Sequence, residues 1–262
     1  MVLPVLLALL LCIACPCPSA AQAPTINNEA LAIVGAGGET LRYTIAWTGG
    51  VKVGDLVLEL RRNNETTVTI TALASDYGLL RALYPVDDTF VTTMSSSSML
   101  PRRYQVHQQE GKRETRRLTR YTQETRQVHY QKNDEPEIQF TVQGPVHNEF
   151  TGFYFSRVLD YPSGVGEVPT FADKKYHLVQ VHLQGRPSLA SIFGEVQTLE
   201  LQPRMPFKGL YDKRGDTVIW VTDDACRVPV KINSRIAIGS LTATLTAYTN
   251  PACPQYSTTT GN

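Results

Sequence analysis

The sequence predicts a mainly β protein: a single antiparallel, strongly curved sheet or an open β-barrel, with one or two short helices. Two observations carry that expectation. Runs in which large apolar side chains fall on alternate positions recur along the chain, beginning with Leu41-Arg42-Tyr43-Thr44-Ile45-Ala46-Trp47. Residues two apart share one face of a strand, so each such run offers one face to a core. Helical spacing is rare by comparison, and many strands with few helices indicate an antiparallel sheet, open or curled. The composition agrees. At 262 residues, 42% hydrophobic and 19% charged, the chain can bury a real core and is neither disordered nor a membrane bundle. The formal net charge of +1 argues against a dedicated nucleic-acid binder.

From the N-terminus, Val2 to Ala14 (VLPVLLALLLCIA) is almost wholly apolar. It falls short of the about 20 residues that a membrane-spanning helix needs and fits the apolar region of a secretory signal. Ser19-Ala20-Ala21 has small residues where a signal peptidase reads, which assigns residues 1–21 to a signal peptide cleaved before Gln22. The region before the apolar run carries no Lys or Arg, a departure from the usual pattern. The expectation is export to the periplasm. In the alternative, Cys15 is lipidated and tethers the chain to the outer membrane, although Cys12 stands where Leu is usual. Residues 22–37 are expected to form a flexible segment. Within it, Ala32-Ile33-Val34-Gly35-Ala36-Gly37-Gly38 imitates a dinucleotide-binding fingerprint. The third glycine position holds Thr40, and a strand pattern follows where a helix is required, so a loop is the better reading and no cofactor is expected.

A β domain is expected over residues 38–248. Leu41, Tyr43, Ile45 and Trp47 share a face. Gly49-Gly50 marks a turn before the run Val51 to Leu60, in which Gly54-Asp55 suggests a bulge or kink. Thr66 to Ala72, rich in β-branched residues, reads as the next strand. Tyr104 to His107, Glu137 to Val142, Tyr176 to Leu183, Gln197 to Gln202, Thr217 to Val221, Val228 to Ile232 and Ile236 to Tyr248 follow. Leu79 to Tyr84 fits one or two helical turns before Pro85. Asn148 to Leu159 is the stronger helix, with Asn148 as N-cap and Phe150, Phe153, Tyr154 and Val158 at helical spacing. That aromatic stripe reads as core packing. Ser95 to Ser98 reads as a loop, and residues 249–262 as a turn-rich tail that frays unless Cys253 anchors it.

Three of the five cysteines lie in the leader, which leaves Cys226 and Cys253 to pair across a separation of 27 residues or to remain thiols. An exported compartment permits the bridge. Between Arg102 and Lys132, nine basic residues face three glutamates, a local excess of six positive charges. The bland reading is a pair of long polar strands joined near Glu110-Gly111-Lys112. The functional reading makes Arg113, Arg116, Arg117 and Arg120 a surface for an anionic envelope component. Arg157 lies in an otherwise apolar helix and needs a carboxylate or backbone carbonyls, or else opens toward an anionic ligand. Trp220 is expected to bury its ring against the sheet's core. Asp223-Asp224 reads as a turn whose carboxylates bond the local backbone, and Arg227 as a structural residue paired with one of them. Two adjacent carboxylates are too few for a metal site, and the five histidines show no metal spacing. No nucleophile motif is present to name a catalytic residue.

The string WVTDDACRVPVKINSRIAIGSLTATL carries Trp220, Asp223-Asp224, Arg227, Pro229-Val230 and Ile238-Gly239-Ser240. In that order and spacing it resembles the ending of a bacterial family of exported proteins, the domain of unknown function 3108. Gly38-Glu39, Leu41, Tyr43 and Gly54 resemble the family's opening strands, and Met99-Leu100-Pro101, Tyr104 and Phe153-Tyr154-Phe155-Ser156-Arg157 its middle. The resemblance covers about Gly38 to Leu245. Cys226 departs from it, standing where an ordinary polar residue is expected. The resemblance implies an exported, largely β protein and supplies no catalytic residue. The functional expectation is therefore non-enzymatic binding of a lipidic or apolar ligand, or of an envelope protein partner, on a concave sheet face of a monomer or weak oligomer. An envelope hydrolase with an unassigned site is the alternative.

Overall fold

The structure is a computed structural model that describes residues 25–207, 217–236 and 239–258. The signal peptide expected over 1–21, the cleavage point expected before Gln22, and Cys15 lie outside the described residues, as does Ile238. The chain runs through α1 (Asn28–Ala36), β1 (Glu39–Trp47), β2 (Val51–Arg62), β3 (Thr67–Asp76), α2 (Gly78–Leu83), β4 (Val86–Ser95), β5 (Pro101–Glu110), β6 (Arg113–Thr122), β7 (Gln127–Lys132) and β8 (Ile138–Thr141). It continues through α3 (Glu149–Val158), β9 (Val165–Ala172), β10 (Lys175–Gly185), β11 (Ser188–Ser191), β12 (Gly194–Arg204), β13 (Thr217–Thr222), β14 (Pro229–Arg235) and β15 (Ser240–Thr249).

The fifteen described strands join one antiparallel sheet in the order β8-β7-β6-β5-β4-β3-β2-β1-β15-β14-β13-β12-β10-β9, with β11 on β12 beside that path. The first and last strands are neighbours, so the middle of the chain supplies both edges. Segment 142–148 and α3 carry the chain from edge strand β8 to edge strand β9. On the way, His147 N donates to Pro169 O and Phe171 N donates to His147 O, both at 2.8 Å. The Phe171 ring meets Tyr121 on β6 and Phe140 on β8. The β9 edge is thus drawn back toward the opposite end of the sheet, which curls without closing into a barrel.

Twist and bulges supply the curl. The β1–β2 register slips between Ile45/Gly54 and Ala46/Lys52, leaving Val53 as the extra residue beside Gly54. A Cβ at Gly54 would stand 2.4 Å from the Ser75 carbonyl oxygen, so the close approach of β2 to β3 here requires glycine. α3 begins as its sequence dictates: the Asn148 side chain accepts from the Phe150 and Thr151 amides, and Thr151 Oγ1 accepts from the Asn148 amide.

Among the described residues there are three short helices rather than one or two. The added one, α1, corrects the expectation of a flexible segment over 22–37. Its Ala30 and Val34 are buried against Leu60, Val68, Ile70, Met94, Tyr154 and Val158. The apolar run LAIV has no helical spacing of its own, so contact with the sheet decides its conformation.

Candidate functional site

The two ends of the curled sheet differ. Where β1 and β9–α3 begin and end, α1, α3 and the segment 224–228 close the interior around one buried ion pair. Arg157 Nη1 and Nη2 each donate to a Glu39 carboxylate oxygen at 2.7 Å. Its Nε donates to Arg227 O at 2.9 Å and its Nη2 to Cys226 O at 3.3 Å. The guanidinium lies 4.9 Å from the centre of the Tyr154 ring, and the Tyr248 hydroxyl donates to Glu39 at 3.2 Å. The Arg157 side chain is 0% exposed. Burial works against its charge, but the Glu39 carboxylate outweighs burial and holds the guanidinium's pKa above its ordinary value. Burial raises the hydroxyls of Tyr43, Tyr154 and Tyr248, with the Glu39 charge adding to it. Arg157 is therefore buried and bonded within the protein, as the structural one of its two expected roles requires.

Beside this pair, Cys226 and Cys253 form a disulfide. Asp224 Oδ1 accepts from Thr222 Oγ1 and from the amides of Cys226 and Arg227, at 2.7 to 3.2 Å. These bonds hold Arg227 at φ +47°, a left-handed conformation that a non-glycine residue adopts only when its surroundings impose it. Arg227 reaches Asp223 at 3.4 Å and Asp160 at 3.6 Å, and Asp223 also pairs with Arg186. Asp223, Asp224 and Arg227 shape a turn that offers its carbonyls to Arg157. Trp220 departs from its expectation. The core positions of β13 are Ile219 and Val221, and the Trp220 ring lies half-buried on the other face between Glu200 and Lys231.

At the opposite end the interior is left open as a groove of about 500 Å³. Strands β1–β4, β9, β10 and β12–β15 and one side of α3 wall it, with Leu56, Phe90, Phe153, Val181, Ile219 and Ala243 among the lining residues. Most polar lining atoms are turned into the wall. Ser156 Oγ donates to Phe153 O, Thr170 Oγ1 donates to Val168 O, and Thr217 and Ser234 bond each other. The titratable lining residues among those described are Asp76, Tyr84 and Glu149. Asp76 Oδ1 accepts from Val86 N and Arg81, whereas its Oδ2 is buried without a partner. No described group of three or more His, Cys, Asp or Glu side chains could hold a metal.

The basic segment does not form one surface. Arg113 and Arg117 share the inward face of β6 with Thr119 and Tyr121, while Arg116 and Arg120 point outward. Arg116 pairs with Glu114, and Arg120 with Glu137. Arg117 joins a network in which its Nη2 donates to Gln108 Oε1 at 3.0 Å and Gln108 Nε2 donates to Asp88 at 3.0 Å. Burial, then the Asp88 charge, raises the neighbouring Glu110 carboxyl above its ordinary pKa. These arginines stand apart from the groove lining. The apolar alternation of the long strands predicts an apolar concave sheet face but not the groove's place on it, because the walls are brought together only by the β1–β15 pairing.

The family profile described as protein of unknown function, DUF3108, matches residues 42–246. The chain belongs to that family. Members of DUF3108 carry no assigned activity in that description. Among proteins of curated function, none matches this chain in sequence. Among solved structures, it is similar to a β-barrel-like protein of the domain of unknown function DUF1849 from Brucella abortus. The TM-score is 0.57 at 7% identity, covering 82% of this chain and 98% of that one. A protein of Bacteroides fragilis described as a candidate exported protein with a YmcC-like fold matches with a TM-score of 0.35 at 7% identity, covering 82% and 96%. A hypothetical protein of Chlamydia trachomatis gives 0.33 at 7% identity, covering 85% and 93%. At such identities the first similarity bears on the fold alone.

Proposed function

We propose that this DUF3108 protein is exported to the bacterial periplasm and binds a lipidic or apolar ligand in the groove of its curled sheet. The groove carries the reading. Its volume falls within the ~300–1,000 Å³ typical of small-molecule sites, and its wall is apolar because most polar lining atoms are already bonded within the protein. Burying an acyl chain there gains about 0.8 kcal/mol per methylene. No described serine, threonine or cysteine of the lining is hydrogen-bonded to a histidine, which favours binding over hydrolysis. Export is supported by the apolar leader with its small-residue triplet and by the disulfide, a bond suited to an oxidising compartment.

The test uses the processed chain and a naphthylamine probe that fluoresces in apolar surroundings. The wild type should bind it, and Ala243→Trp, which fills the groove, should weaken binding at least tenfold with an unchanged circular dichroism spectrum. Equal binding by both proteins would defeat the proposal. Intact mass of the chain from its own envelope should begin at Gln22; a lipid-sized excess on Cys15 would replace soluble export with tethering.

A further inference from the structure

The mouth of the groove is edged by three neighbouring segments. Tyr77 N donates to Val53 O at 3.1 Å, which sets α2 beside the β1–β2 turn. Gly111 N donates to Pro85 O at 2.7 Å, which sets the β5–β6 turn beside the other end of α2. The Tyr84 ring lies so closely over Gly111, at φ +60°, that a Cβ there would stand 2.7 Å from it. Four large apolar side chains remain exposed on this edge: Leu83 at 75%, Val51 at 58%, Tyr84 at 51% and Trp47 at 38%. Among the described residues the other exposed large apolar side chains, Leu73, Ile138 and Leu178 on strands and Ile192 in the β11–β12 turn, are scattered singly elsewhere. Tyr84 also lines the groove, so the apolar interior continues onto the outer surface.

Exposed cations accompany the apolar residues. Lys52 follows Val51, and Lys112-Arg113 follow Gly111 beneath Tyr84. None of the three forms an ion pair with a described carboxylate. Aromatic and aliphatic side chains interleaved with Lys and Arg suit the headgroup region of an anionic bilayer, where rings sit at the interface and each cation adds about 1 kcal/mol. We propose that this edge rests on an anionic membrane surface, and that the groove takes up or releases its ligand there without leaving the interface. The rim also carries carboxylates, Asp76 and Asp87 paired with Arg81 and Glu110 opposite Arg113, so it is the exposed cations interleaved with the apolar cluster, and the continuity of that cluster with the groove, that favour a bilayer over a protein partner. Ligand exchange rests on the binding reading above; docking itself does not.

The experiment is cosedimentation of the processed chain with phosphatidylcholine vesicles, with and without phosphatidylglycerol. Binding should require phosphatidylglycerol and weaken with salt. Val51→Ser/Leu83→Ser and, separately, Lys52→Gln/Lys112→Gln/Arg113→Gln should each reduce it roughly tenfold or more. Neither set lines the groove apart from its margin, so both should retain probe binding. In a Trp220→Phe background, Trp47 emission should shift to the blue on vesicles. Vesicle binding that is absent, or unchanged in both variants, overturns the docking proposal while leaving probe binding to judge the groove. Association of the chain with itself through the rim, without vesicle binding, also overturns it.

Discussion

The sealed and open ends of the sheet bury their surroundings in opposite ways. At the sealed end the chain places a full ion pair in the interior and satisfies it with a carboxylate, two carbonyls, a tyrosine hydroxyl and a ring face. At the open end, polar groups bond back into the wall and the apolar interior is left unfilled. The difference teaches where rigidity is concentrated. A buried guanidinium tolerates only one arrangement of its partners, and Arg157 draws those partners from β1, α3, β15 and the disulfide-linked segment at residue 226. With curvature fixed there, the far end can stay hollow.

Breaking that pair should give the largest effect. Arg157→Met leaves Glu39 buried with one hydroxyl donor, and loss of one partner of a buried pair costs about 3–5 kcal/mol. Urea unfolding of Arg157→Met and of Leu83→Ser measures the contrast directly. The rim variant should stay within about 0.5 kcal/mol of wild type, since surface changes of that kind rarely cost more. Replacing both partners, Glu39→Leu with Arg157→Met, should recover part of the loss, because no unpaired charge remains. Equal destabilisation at the two ends would remove the distinction between them.

A smaller effect tests the seam where the sheet's edges meet. His147 stacks on Phe155 at 4.4 Å between ring centres, and its Nδ1 is buried without a partner. Burial lowers its pKa to about 3, with the Met99 backbone offsetting this in part. The folded state thus keeps the ring neutral, while the unfolded chain takes up a proton near pH 6.5. The contribution is present in full above pH 6.5 and is lost as pH falls toward 3, at about 1.4 kcal/mol per unit. At pH 5 the loss is about 2 kcal/mol by the same slope. Carboxylates add their own pH dependence, so the measurement is the difference in slope between wild type and His147→Phe. Parallel curves would place the imidazole in contact with solvent and open the seam.

How much of this was legible follows from where the sequence signal resides. β1 announced itself by alternation, β2, β10 and β13 by short apolar and β-branched runs, and α3 by its N-cap and stripe, since these patterns are local. β4 escaped because its inward positions run Asp88, Phe90, Thr92, Met94, mixing polar and apolar residues on one face. β9 escaped because Gly166 and Pro169 read as breakers, although an edge strand tolerates proline. The basic run misled by its density. Period two sends Arg113 and Arg117 inward and Arg116 and Arg120 outward, so charge counted along the chain overstates charge on any one face. The place of the groove on the concave face was illegible for a different reason. The groove exists only once β1 pairs β15, a contact that no local pattern specifies.

The same parity argument governs the smallest prediction. Trp220 pairs across the sheet with Glu200 on β12 and Lys231 on β14, and strand neighbours directly opposite share a face. Its indole Nε1 donates to Glu200 at 3.2 Å, and Lys231 Nζ lies 5.2 Å from the ring centre. Ile219 and Val221, one position to either side, occupy the core face instead. A fully buried tryptophan would cost about 3–5 kcal/mol on truncation to alanine. Half-buried and packed against the margin of a core cluster rather than within it, Trp220→Ala should cost about 1–2 kcal/mol, from partial loss of apolar burial and of the cation–ring contact. A double-mutant cycle with Lys231→Ala should return a coupling of about 0.5–1 kcal/mol. A loss above 3 kcal/mol with no coupling would mean that the ring anchors the core after all, and that the outer face of β13 contributes to sealing the sheet as Arg157 does.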